Sequence, residues 1–186
     1  MVGRAWLLVA RRRSLTLGTV RILVAGVGNV LRGDDAFGVE VANRLIERET
    51  HPDVTVVETG IAGIQLVSDL QEGFDAIIVV DTVDRERPPG TVMVIDYDVI
   101  DVHELDHNTK YDLLADMHLA TPERSLMVAR AIGVLPPIVQ MVGVQPVDAE
   151  TMHIGLSPEI ELAVDVAIEE IDRCVESILA PKISEE

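Results

Sequence analysis

The chain has 186 residues, 48% of them hydrophobic and 25% charged, and a formal net charge of −17. That length favours one domain with a sizeable core, and that acidity argues against nucleic-acid binding, which needs a basic face. No apolar run approaches the roughly 18–20 residues of a membrane span, and the single cysteine, Cys174, excludes an internal disulfide and fits a reducing compartment.

Residues 1–19 read as an appendage, because they are basic in an acidic protein and precede the first strong strand. The expectation is a disordered tail or an upstream start; an arm for nucleic acid or membrane is the alternative. Ala5-Trp6-Leu7-Leu8-Val9-Ala10 is too short for a signal core, and Arg11-Arg12-Arg13 follows it instead of preceding it. Arg12-Arg13-Ser14-Leu15 is faintly like a twin-arginine signal. The next apolar run is needed by the first strand, however, and no clear cleavage site follows.

From Val20 the pattern becomes regular. Strand-like runs recur at 21–28, 54–59, 76–82, 91–96 and 138–145, and helical segments fall at 36–48, 62–71, 122–132 and 158–179. This alternation predicts a single-domain α/β three-layer sandwich over 20–180, a mostly parallel twisted sheet with helices on both faces, followed by a short tail at 181–186. The strands are nearly continuous in Val and Ile, as strands buried on both faces should be. The turn Pro88-Pro89-Gly90 makes 91–96 a candidate antiparallel strand. In the last helix, Ser157 is placed to cap and Pro158 suits the first position. Cys174 lies on that helix's apolar stripe with Ile160, Val164, Ala167, Ile171 and Ile178, which marks it as a buried small residue.

Three side chains fall where a parallel sheet gathers ligands, outside the carboxyl ends of its strands. Asp35 closes the glycine-rich turn Gly26 to Asp35, Asp81 ends Ala76-Ile77-Ile78-Val79-Val80, and His118 precedes the capped helix start Thr121-Pro122-Glu123. Two carboxylates and an imidazole suit a borderline divalent ion such as nickel or zinc. The bland alternatives are helix-capping and first-turn acids for Asp34 and Asp35, a loop-start carboxylate for Asp81, and an exposed loop histidine for His118. Asp34 is also a conceivable base acting from behind the metal-contacting residues, though capping is its first reading.

Gly26-Val27-Gly28 invites a dinucleotide reading, with Glu58 as the ribose acid. Leu31 stands where the third glycine belongs, and Asp34-Asp35 would repel a pyrophosphate at the helix start. The glycines are better read as permitting a tight strand exit.

The chain from about Arg21 to Leu179 resembles the hydrogenase maturation proteases, nickel-dependent endopeptidases that finish the large subunit of nickel–iron hydrogenases. The resemblance is carried by Arg21 to Gly38 with its acidic pair, by Ala76 to Asp84, by Val142-Gly143-Val144-Gln145-Pro146 and by Gly155-Leu156-Ser157-Pro158-Glu159. It implies that Asp35, Asp81 and His118 are the metal-contacting positions. It also implies a cytoplasmic monomer that removes a C-terminal extension from the large-subunit precursor after nickel insertion. Nickel would then be presented by the precursor, with the protease adding outer ligands.

The chain departs from the family pattern in places. Glu58-Thr59-Gly60-Ile61-Ala62-Gly63 stands where Asp-Gly-Gly-Thr is frequent, and Leu119-Ala120 follow His118 where polar residues are common. The segment 98–117 is long and carries His103 and His107, the alternative histidines. It is read as a loop that admits the precursor's C-terminus, or as a variable surface insertion. His51 and His153 are read as surface or local structural residues. Two other functions stand beside this one: a metal-dependent checkpoint that would use the same residues to bind the precursor without cutting it, and the dinucleotide binder built on the glycine loop and Glu58. No Ser-His-Asp, Cys-His or His-Glu-x-x-His arrangement offers a different hydrolase.

Overall fold

The computed structural model describes residues 19–61, 63–105 and 121–180. His107, His118 and the two tails, 1–18 and 181–186, lie outside the described residues, as does the side chain of His103. In chain order the elements are β1 (Ile22–Val27), α1 (Phe37–Glu47), β2 (Val54–Gly60), α2 (Gly63–Leu70), β3 (Ala76–Thr82), β4 (Val92–Asp96), α3 (Pro122–Ala131), β5 (Ile138–Val144) and α4 (Pro158–Leu179). Short 3-10 turns occupy Gly33–Ala36 and Val102–Glu104.

The five strands form one sheet in the order β2-β1-β3-β5-β4. All neighbours are parallel except β4, which runs antiparallel to β5. The expected antiparallel strand is therefore present, but β5 is inserted between it and β3. After β1 the chain turns to β2 on one side, and it later returns to β3 on the other. This switch point opens a crevice at the carboxyl ends of β1 and β3, the place where such sheets bind ligands.

Each strand contributes to two cores because successive side chains point to opposite faces. Ile22 and Val24 of β1, with Ile78 and Val80 of β3, pack against Phe37, Val41 and Leu45 of α1 and Ile160, Val164 and Ile171 of α4. Leu23 and Ala25, with Ile77 and Val79, pack against Leu66 and Leu70 of α2 and Leu126 of α3. The three layers expected from the alternating pattern are thus present. Cys174 is 8% exposed and belongs to the first core. Among the described residues no helix is long and apolar enough to cross a membrane.

Glycine brings α1 close to the sheet. A Cβ on Gly38 would lie 2.1 Å from the carbonyl oxygen of Val80, and one on Gly26 would lie 2.1 Å from that of Gly38. Side chains here would lift the helix from β1 and β3 and widen the crevice.

Candidate active site

Asp81 occupies the penultimate position of β3, paired in register with Gly143 of β5. Asp35 sits in the 3-10 turn between β1 and α1. The turn closes through Gly28, whose φ of +146° no bulky residue favours; a Cβ there would meet the Asp35 carbonyl oxygen at 1.8 Å. The amide of Asn29 donates to that same carbonyl at 3.1 Å. The strand exit that the glycines were expected to permit is therefore a turn folded back on Asp35.

Both carboxylates line one cleft of about 440 Å³, together with Gly28, Asn29, Arg32, Ile61, Thr82, Thr121 and Glu123. The backbone N–H of Thr82 donates to Asp81 Oδ1 at 2.7 Å, and the Thr82 hydroxyl donates to Asp35 Oδ1 at 3.4 Å. Thr82 therefore contacts one oxygen of each carboxylate.

Burial pushes the Asp81 carboxyl up to about 8, with the negative charges of Asp35 and Glu123 adding to the rise and the Thr82 N–H opposing it. Asp35 is raised too, first by burial, while the Arg32 guanidinium and the Thr82 hydroxyl pull it down. Such a pair fits a divalent cation by its chemistry. The donors are hard oxygens, and a bound positive charge would reverse what keeps Asp81 from ionising. Among the described residues no three His, Cys, Asp or Glu side chains converge tightly enough to hold an ion. The third expected ligand, His118, lies outside the described residues, while the helix it precedes is capped as expected. Thr121 Oγ1 accepts from the Arg124 amide, and Pro122 opens α3.

The reading of Asp34 needs correction. It neither caps a helix nor faces the cleft as a base. Residue 36 is the N-cap of α1, with no side-chain cap, and Asp34 is 1% exposed. Its Oδ2 accepts from the amides of Val147 and Asp148 at 2.9 and 3.0 Å and from the Ser157 hydroxyl at 3.1 Å; its Oδ1 accepts from the Ser157 amide at 2.7 Å. Ser157 does stand at the N-cap of α4, but its hydroxyl is given to Asp34 and not to the helix. His51 and His153 are exposed, as expected of surface residues. His51 Nδ1 accepts from the Asp53 amide at 3.2 Å, and the His153 ring packs on Gly33.

The family model for hydrogenase maturation proteases (HycI) matches residues 39–173. The hydrogenase 2 maturation protease of Escherichia coli is 33% identical over 154 residues, which cover 82% of this chain and 88% of that protein. The chain belongs to the hydrogenase maturation protease family. HupD of Rhodobacter capsulatus, a hydrogenase expression/formation protein, is likewise 33% identical over 154 residues, covering 82% of this chain and 70% of its own. Among solved structures, the hydrogenase-maturating endopeptidase HybD from E. coli superposes with a TM-score of 0.66 at 28% identity, covering 85% of this chain and 93% of that one. A hydrogenase 2 maturation peptidase from a Thaumarchaeota archaeon gives 0.61 at 33% identity, with 83% and 97% covered.

Family members are endopeptidases, so this maturation protease is a hydrolase, and the dinucleotide-binding alternative is set aside. Three cleft residues of the protease were not singled out from the sequence as site residues: Arg32, Thr82 and Glu123. Thr82 and Glu123 directly follow Asp81 and the Thr121-Pro122 cap, so adjacency to the strand and helix ends was the available signal. Arg32 lacked one, because its place depends on how the turn folds back.

Proposed function

We propose that this protease removes the C-terminal extension of a nickel–iron hydrogenase large-subunit precursor after nickel insertion, and that it engages the precursor's nickel through Asp35, Asp81 and His118. The observation that carries the reading is the pair of raised carboxylates, Asp35 and Asp81, brought from separate segments to one cleft at the switch point. Relatives named as hydrogenase maturation proteases support the same substrate class.

Nickel on the precursor would supply Lewis acidity toward the scissile carbonyl or a bound water. The protein's own part is to hold and orient. Thr82 contacts one oxygen of each carboxylate, and among the described residues Oδ2 of Asp81 has no hydrogen-bond partner. Docking a cation there requires Asp81 to release its proton, because the metal-binding form of a carboxylate is the ionised one. The working setting proposed is a cytoplasmic monomer, in line with the family resemblance and the single cysteine.

The test is mass spectrometry of a nickel-loaded large-subunit precursor before and after exposure to this protein. Loss of a C-terminal peptide is the expected result. Stable binding with no change of mass would make the protein a checkpoint instead of a protease.

A further inference from the structure

The acidic pair divides its work. Asp35 faces the cleft, whereas its neighbour Asp34 is buried and saturated by four donors, three of them backbone amides. Those donors belong to the segment between β5 and α4, more than a hundred residues away. The same segment grips the Asp35 turn at other points. The Gly33 amide donates to the His153 carbonyl at 2.9 Å, and the Asp34 amide donates to that of Asp148 at 3.2 Å. Arg32 pairs with Glu150. Gly33, at φ +55°, lies so close to the His153 ring that a Cβ would meet it at 2.1 Å.

We infer that Asp34 is a positioning residue for the reaction: it clamps the 147–157 segment to the turn and thereby fixes where Asp35 points. The turn's own backbone bonds close it only on itself, the amides of Asn29, Arg32 and Asp35 donating to the carbonyls of Asp35, Asn29 and Arg32 at 3.1, 3.0 and 3.1 Å, and the clamp ties it to a distant segment as strand pairing would elsewhere. Asp35 is one peptide bond from the clamped residue, so a loosened clamp is felt directly at the cleft. Charge and shape both matter. An asparagine has one acceptor oxygen, and its NH2 would face at least one of the three N–H donors, leaving a buried donor unsatisfied. Misplacing a reacting group by about 1 Å can cost roughly a hundredfold in rate.

The inference rests on the cleavage reading for its activity arm, so the test carries a second arm that does not. Asp34→Asn, Ser157→Ala and the core control Ile171→Val would be made in the full chain. Amide NMR spectra would be recorded without substrate, and kcat and KM measured on nickel-loaded precursor well below each melting midpoint. Asp34→Asn should shift the amides of Asp35 and Thr82 as well as those of Val147 and Asp148. Its kcat should fall at least about tenfold with KM changed less than about twofold, as for an interaction felt in the transition state. Ser157→Ala, which removes only the hydroxyl donor, should shift the same amides less and lower kcat about threefold. Ile171→Val should leave both readouts unchanged. Unshifted Asp35 and Thr82 amides, or kcat within twofold of the parent in folded Asp34→Asn, would overturn the inference. If Asp34→Asn does not fold, Ser157→Ala decides: unshifted amides or a parental kcat would overturn it. A parent protein that cleaves nothing would sink the cleavage reading, while the amide shifts would still judge the clamp.

Discussion

The two ends of the sheet are built on opposite principles. At the amino ends of β1 and β3, Arg21 is half-exposed but well partnered. Its guanidinium lies 4.6 Å from the Phe74 ring centroid and donates to the carbonyls of Glu72 and Gly73, while its amide donates to Asp75. At the carboxyl ends, Asp35 and Asp81 are left under-partnered in a cleft, and their carboxyls are held above the ordinary range. One end closes the structure; the other gathers two unfavourably placed carboxylates at the cleft where the proposed reaction is set. Concentrating such cost at one site is what functional residues require, and the rest of the fold must offset it.

The largest expected effects lie at the open end. Asp35→Asn, Asp81→Asn and His118→Ala should each lower precursor cleavage at least about a hundredfold while leaving the fold intact, because ligands of one ion act as a unit. Mass spectrometry of the precursor reads the loss, and circular dichroism reads the fold. An active His118→Ala protein would point to His103 or His107 instead.

The pH dependence sharpens the contrast. The folded-state carboxyl of Asp81 sits near 8 against 3.8 in an unconstrained chain, so between those values the folded protein holds a proton that the unfolded chain has lost. Stability from this group therefore falls as pH rises from about 4 to about 8. Asp81→Asn should remove that slope and raise the melting midpoint by several degrees at pH 8. Docking of nickel-loaded precursor should move the other way and tighten as pH rises toward 8, since Asp81 must ionise. Thermal melts and binding titrations across pH 5–9 check both signs.

At the closed end, Arg21→Ala should cost about 1–2 kcal/mol through the lost ring contact and carbonyl hydrogen bonds, with cleavage unchanged. Cys174→Ser should cost about 1 kcal/mol by placing a hydroxyl in the core under α4, again with cleavage retained. Urea melts measure both. The smallest effect is expected of a chain beginning at Val20, which should melt and cleave like the parent; a large drop in midpoint would show that the tail packs.

Much of this contrast was legible in the sequence. The central strands β1 and β3 are buried on both faces, so their Val and Ile runs stand out, and Asp81 is conspicuous as the first acid after such a run, whereas the edge strands β2 and β4 are only half-buried. Periodicity carries no information on strand order, which is why the insertion of β5 between β3 and β4 could not be read. Nor could the separate roles of Asp34 and Asp35. Adjacent acids look alike in sequence, and the donors that claim Asp34 are 113 to 123 residues away. Ser157 misled for the same reason, since a capping serine and a serine that clamps a distant aspartate have the same local neighbours.

The central claim is that Asp35 and Asp81 serve cleavage and not folding. It is tested most directly by exposing nickel-loaded precursor to the parent and to Asp81→Asn at pH 8, with melting recorded for both. The account predicts a shortened precursor with the parent, none with the variant, and a higher melting midpoint for the variant. Shortening at the parental rate by Asp81→Asn would contradict it.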